Sequence, residues 1–279
     1  FGLTVSISGD VAIVGAHGVD DNGQEAGAAY IYRLVDGSWI EETKLLASDG
    51  SAEDNFGLRV NNYANTAIVG AYKDSDNGLN SGSAYIYRYN GKKWIEEGKL
   101  LASDGAVGDL YGRAVAITGE LAVVGARFND ELGENAGAAY IYRFSGKQWV
   151  EEIKLLASDG ASLDNFGHAV ALTDDTVIVG AREGGRFNTG TAYIFRFDGD
   201  AWNEVVILTA GDGSTLDEFG HSVSISGDIV VVGAGGDDDL GPNAGSSYLF
   251  RYVGGEWLQT KLQSSDGTSN DTFGLSVSV

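Results

Sequence analysis

The chain has no cysteine and no methionine, and its 279 residues include one proline, Pro242. Without thiols there can be no disulfide, no thiol nucleophile and no thiolate-held zinc. A single proline rules out a proline-rich linker or a collagen-like repeat. Positive charge is also scarce: 18 Lys and Arg stand against 40 Asp and Glu, for a formal net charge of -22. That surplus repels a phosphate backbone and an anionic lipid surface. Nucleic acid and direct membrane insertion are therefore not expected, whereas cations, basic proteins and neutral glycans are. No apolar run approaches the length of a membrane span. No signal peptide is present, and the lack of methionine at position 1 leads us to expect a processed or excerpted chain.

What the chain has is glycine, 42 residues of it, and a repeat. An aromatic-glycine pair occurs at Phe1-Gly2, Phe56-Gly57, Tyr111-Gly112, Phe166-Gly167, Phe219-Gly220 and Phe273-Gly274, at intervals of 55, 55, 55, 53 and 54 residues. The units are 1–55, 56–110, 111–165, 166–218 and 219–272, with a further unit beginning at 273–279. KLLASDG recurs verbatim at 44–50, 99–105 and 154–160.

Each unit predicts four strands. In the first, Leu3–Ser8 alternates apolar and hydroxyl residues, the period-two pattern of a half-buried strand. The apolar run VAIVGA at 11–16 suits a strand buried on both faces. Ala28–Leu34 is rich in aromatic and branched residues. Trp39–Leu46 carries Glu41, Glu42 and Lys44, charges that suit an outer edge. Glycine turns such as Asp36-Gly37 and Asn90-Gly91 close the hairpins. Four short strands per unit, repeated in tandem, predict an all-β fold: a β-propeller of four-stranded antiparallel blades forming one domain over 1–279. An open β-solenoid is the alternative.

The units resemble FG-GAP repeats, the family that builds the propeller of integrin α subunits. The resemblance rests on the aromatic-glycine pair opening the first strand and on a Gly-Ala pair closing the second, at Gly15-Ala16, Gly70-Ala71, Gly125-Ala126, Gly180-Ala181 and Gly233-Ala234. The third position is never proline; it is His17, Tyr72, Arg127, Arg182 and Gly235. The resemblance implies about five blades in this chain, or a part of a six- or seven-bladed propeller, since FGLSVSV at 273–279 repeats FGLTVSI at 1–7. It also implies an extracellular or cell-surface location. The family's calcium loops precede the second strand, and the loop here is too short to supply the six to eight oxygens calcium needs. Those sites are not carried over.

Antiparallel connectivity throws the second–third and fourth–first loops to one side of each blade, and these loops are acidic. The former carry Asp20 and Asp21, Asp74 and Asp76, Asp130 and Glu131, Glu183, and Asp237, Asp238 and Asp239. The latter carry Asp49 and Asp54 and their copies at 104 and 109, 159 and 164, 212 and 217, and 266 and 271. Turn chemistry accounts for Asp-Gly pairs and for a second aspartate capping the loop. Divalent cation binding, calcium being the candidate ion, is the other reading, with Asp74, Asp76 and Asn80, and Asp237 and Asp239, as ligands. In integrin-like relatives, the resemblance implies, this side meets ligand.

Trp39, Trp94, Trp149, Trp202 and Trp257 are expected to pack between blades. Arg33, Arg88, Arg143, Arg196 and Arg251 are expected to pair with glutamates such as Glu41 or Glu96. His168 and His221 occupy the same place in adjacent units. No nucleophile elbow, phosphate loop or HExxH occurs. The expected function is a non-enzymatic extracellular binding or adhesion module for a protein or glycan. A structural protein that self-associates is the alternative, and a glycan-active enzyme is a third.

Overall fold

The computed structural model describes residues 1–185 and 188–279, and among them no helix occurs. There are five sheets of four antiparallel strands, each in sequence order from one edge to the other. They comprise β1 (Val5–Ser8), β2 (Val11–Ala16), β3 (Ala28–Val35) and β4 (Ser38–Leu45); β5 (Arg59–Tyr63), β6 (Thr66–Ala71), β7 (Ser83–Tyr89) and β8 (Trp94–Leu100); β9 (Ala114–Ile117), β10 (Leu121–Ala126), β11 (Ala138–Phe144) and β12 (Trp149–Leu155); β13 (Phe166–Leu172), β14 (Thr176–Ala181), β15 (Thr191–Phe197) and β16 (Trp202–Leu208); and β17 (Phe219–Ser226), β18 (Ile229–Ala234), β19 (Ser246–Val253) and β20 (Glu256–Leu262). These are five blades of a propeller-like fold. The chain gathers into two compact units, Phe1–Asn129 with Tyr140–Lys154, and Asp130–Ala139 with Leu155–Val279.

In the first unit, the core joins residues of two sheets: Val11, Ile13, Ile31 and Leu45 with Phe56, Val69, Tyr85, Tyr87 and Trp94. In the second, Ile178, Ile194 and Leu208 meet Phe219, Val230, Val232, Tyr248 and Phe250. The second strands β6, β10 and β14 are buried along their whole length, as their unbroken apolar runs require.

The aromatic-glycine and Gly-Ala pairs meet across blades. Phe56 is fully buried, edge-on to Tyr85 at 5.4 Å and to Tyr87 at 6.1 Å. Its backbone bridges to Gly27 of the preceding blade. Gly57 has φ of +86°, and a Cβ there would stand 2.1 Å from the Ala28 carbonyl oxygen. Gly70 lies against the next blade, where a Cβ would fall 2.0 Å from the Gly112 carbonyl oxygen. The two sequence signatures are thus the two sides of one backbone-to-backbone contact, which no side chain can enter.

Two expectations need correction. The first strand was expected to bury Leu3, Val5 and Ile7. All three are exposed, Val5 and Ile7 of β1 at 67% and 63%. The hydroxyl face instead meets the next blade: Thr4 donates to the Leu58 carbonyl at 2.9 Å, and Ser6 and Ser8 accept from the backbone of Asn62 at 3.2 Å and Ala64 at 3.0 Å. In β17 the equivalents Val223 and Ile225 are partly buried beside the core that includes Ile178. The arginine partners are also one residue further on. A β-bulge leaves Glu42 unpaired in the β3–β4 ladder, and Glu97 likewise in β7–β8. The bulge turns these glutamates to Arg33 at 3.1 Å and to Arg88 at 2.7 Å. Glu41 instead lies opposite Tyr32. Glu96 accepts from the Tyr87 hydroxyl at 3.1 Å and from Ser48 of the preceding connection at 2.7 Å.

Trp94 and Trp149 sit between blades as expected, whereas Trp39 is exposed. Trp94 Nε1 donates to Glu42 of the preceding blade at 3.0 Å, and Trp149 Nε1 to Glu97 at 2.9 Å. The Arg33 guanidinium lies over the Tyr89 ring at 4.8 Å, and Tyr89 packs on Trp94. Each such contact hands a bulged glutamate and its arginine to the aromatic pair of the next sheet.

Candidate functional site

The acidic loops converge where one blade hands over to the next. Asp49 comes from the connection between the first two blades, and Asp74 and Asp76 from the β6–β7 loop. Their carboxylates surround Lys99 of β8, whose Nζ lies 2.7 Å from Asp49, 2.9 Å from Asp74 and 2.7 Å from Asp76. The Tyr85 hydroxyl lies 2.7 Å from Asp49 and 3.0 Å from Asp74. The second unit repeats the arrangement. Lys261 reaches Asp212 at 2.8 Å, Asp237 at 2.7 Å and Asp239 at 2.6 Å, and Tyr248 lies 2.8 Å from Asp212. In the third blade Lys154 reaches Asp104 at 2.6 Å and the Asn129 amide oxygen at 3.0 Å, so one carboxylate has become a neutral amide. In the first blade Lys44 pairs with Asp21. In the fourth, Tyr193 donates to Asp159 at 2.8 Å, and the lysine's place in the repeat is taken by Ile207.

The remaining loop residues fix the backbone. Asp20 accepts the Glu25 N–H at 2.7 Å, Asp130 that of Asn135 at 2.7 Å, and Asp238 that of Asn243 at 2.7 Å. Asn80 sits at φ of +56°, and its N–H donates to Ser75 Oγ at 3.1 Å. Glu131 is exposed in its loop. The second aspartate of each connection closes a turn: Asp54 accepts the Ser51 N–H at 2.6 Å, and Asp217 that of Ser214 at 2.6 Å.

A calcium ion does not fit the residues read as its ligands. Asp74 Oδ2 is held by Lys99 and Tyr85, and its Oδ1 accepts the Asp76 N–H at 3.0 Å. The ammonium stands where a cation would, and Asn80 takes part in the loop through its backbone. Among the described residues, no three His, Cys, Asp or Glu side chains converge as a metal cage.

The electrostatics follow from this geometry. Burial raises the Asp49 carboxyl, but hydrogen bonds from Lys99 and Tyr85 outweigh it, and the group ends below its usual range. Burial pushes the Lys99 ammonium down, and its three carboxylates and Tyr85 push it further up, so it stays charged. Asp217 makes no direct bond to Lys261. Burial, opposed by the Ser214 N–H and the Lys261 charge and reinforced by Asp237 and Asp238, lifts it to about 6.

That last shift has a measurable sign. The folded chain binds the Asp217 proton more tightly than the unfolded chain does, so this group's contribution favours folding at acid pH and declines as pH rises from about 4 to about 6. Asp217→Asn keeps an oxygen for the Ser214 N–H and removes the charge. It is expected to raise the melting temperature at pH 7 and to lose that advantage near pH 4, as read by thermal unfolding across pH.

A sequence model described as FG-GAP repeat matches residues 1–32, 39–87, 94–142, 149–195 and 202–250. The chain belongs to the FG-GAP repeat family. From the second match onward, each begins at a β4-type tryptophan and ends in the third strand of the next sheet. The second match therefore spans a junction between blades, including the Tyr85–Asp49 and Tyr87–Leu46 hydrogen bonds, while the Trp–Glu bond and the Gly–Gly approach join successive matches. Among curated proteins, none matches the chain.

FG-GAP loops here also expose apolar side chains that the sequence reading passed over. Leu79 and Val107 are adjacent in the first unit, exposed at 67% and 70%, with the Gly108 N–H donating to the Leu79 carbonyl at 3.0 Å. Leu132, Leu163, Leu216 and Leu240 are exposed in loops of the second. A lone leucine inside a polar turn, as in Asn77-Gly78-Leu79-Asn80, is the signal that marks them.

Proposed function

We propose that the chain is an extracellular binding module that presents these loops to a protein ligand and does no chemistry. One observation carries this reading. Residues that recur from unit to unit are engaged in joining blades, as with Tyr85, Lys99 and Asp49 and with Trp94 and Glu42, while the loop tips differ between units and are exposed. In the first unit those tips carry the half-exposed carboxylates Asp21 and Asp76 and the exposed Leu79 and Val107; in the second they carry Asp239 and Leu240. Apolar contacts within an acidic surround favour a partner that is basic and partly apolar, with attraction that weakens in salt. A neutral glycan would use the same loops through hydrogen bonds and show little salt dependence.

The test is a binding survey on arrays of extracellular proteins and glycans, with loops 17–25, 72–80 and 235–243 replaced by glycine-serine segments. Loss of a salt-sensitive protein interaction in the replaced chain is expected. Binding that is unchanged rejects these loops as the site, and turnover of an arrayed glycan rejects a purely binding role. The exposed Val5 and Ile7 of β1, with Leu3 just before it, favour a second reading, assembly through a blade face. Sedimentation velocity over a concentration series distinguishes it: a larger species that dissolves on Val5→Ser supports assembly.

A further inference from the structure

We propose that His168 and His221 form a binding site for one divalent ion of the zinc type. The two residues occupy the third position of β13 and of β17, the first strands of adjacent sheets in the second unit. Their rings lie 5.1 Å apart between centroids, with planes inclined at 57°. Two imidazoles sharing a tetrahedral ion, each nitrogen about 2.0–2.1 Å from the metal, should have centroids about 5 Å apart. The separation found puts the two rings within reach of one shared ion.

A carboxylate stands beside the pair. Glu218 Oε2 lies 3.2 Å from His221 Nδ1. A carboxylate on one ring nitrogen holds the imidazole in place and turns the other nitrogen toward a ligand position. Arg182 stands 3.3 Å from Glu218, but it also pairs with Glu183 at 3.1 Å, so two carboxylates offset one guanidinium. His168 is buried and His221 is about one-fifth exposed, so solvent reaches the pair from the His221 side. Imidazole without thiolate or clustered carboxylate suits zinc, nickel or copper(II), and not calcium or magnesium. The other units carry Leu3, Leu58, Arg113 and Leu275 at this place, so the repeat does not need histidine there to fold.

Isothermal titration of the full chain with zinc chloride at neutral pH, with calcium present in excess, tests the site. One equivalent of zinc is expected to bind, with binding lost in His168→Leu and in His221→Leu and kept in His17→Gln. Glu218→Gln is expected to weaken it about tenfold or more. Cobalt(II) added to the unaltered chain should develop the visible absorption of a nitrogen-ligated, low-coordinate ion, a readout that requires no variant to fold. Absence of stoichiometric zinc binding, a cobalt spectrum identical to the hydrated ion, or zinc binding that survives both leucine variants would overturn the proposal.

Discussion

Gly70→Ala is expected to cost about 3 kcal/mol or more of stability, far beyond what an alanine usually costs in a strand. The added Cβ would lie 2.0 Å from the Gly112 carbonyl oxygen, which belongs to the backbone of the next blade and cannot rotate aside. Gly57→Ala adds left-handed strain to a similar collision, 2.1 Å from the Ala28 carbonyl oxygen. Gly91→Ala provides the contrast. Its φ is also +86°, but a Cβ there meets nothing within 4 Å, so only backbone strain of about 1 kcal/mol applies. Denaturant titration of the three variants separates conformational strain from collision between blades. Equal costs for all three would mean that the glycine pairs matter only for their torsion angles.

Lys99→Met should have the other large effect, a loss of about 3 kcal/mol at neutral pH. The methionine keeps the length of the side chain and removes the charge that Asp49, Asp74 and Asp76 share. Asp74 is 5% exposed, so it is left as a nearly buried carboxylate with one hydroxyl and one N–H for company. Asp49 and Asp76 are half exposed and water screens them, which keeps the loss from being larger. The pH dependence has a definite sign. Asp49 is held below its ordinary range, so the lysine's contribution is full above the unfolded carboxyl's pKa and fades as pH falls through the folded one. The difference between variant and parent should therefore shrink in acid. A deficit that stays constant from pH 7 to pH 3 would show that Lys99 acts through packing alone.

Much of the fold was legible because the repeat was. An apolar run such as VAIVGA, closed by glycine, places a buried second strand wherever it recurs, and β2 spans the residues expected, Val11–Ala16. Contacts that depend on register were harder to see. Nothing in the pair Glu41-Glu42 says which glutamate turns to Arg33; the β-bulge decides it, and a bulge has no period. The alternation in β1 was correctly periodic, with the hydroxyls of Thr4, Ser6 and Ser8 on the next blade's backbone, but Val5 and Ile7 lie exposed where the same pattern in β17 sets Val223 and Ile225 beside the core that includes Ile178.

The candidate site was legible in its carboxylates and illegible in its cation. Asp74 and Asp76 look like ligands along the chain, and the lysine that answers them lies more than twenty residues away in KLLASDG. That segment recurs verbatim, yet a charged residue on an edge strand is explained by solubility alone, and its reach back into the loop needs coordinates. Asp49 lies in the same segment and is held by Tyr85, 36 residues further along, a link that spacing alone does not reveal. The exposed leucines were overlooked for the opposite reason: a single apolar residue in a turn has no periodic partner to make it stand out.

The most direct test of the account is a crystal structure of the chain grown in millimolar calcium chloride. The Lys99 ammonium should lie among Asp49, Asp74 and Asp76, and Lys261 among Asp212, Asp237 and Asp239, with no metal density between the carboxylates. A calcium ion about 2.3–2.6 Å from Asp74 and Asp76, with Lys99 turned out to solvent, would contradict it.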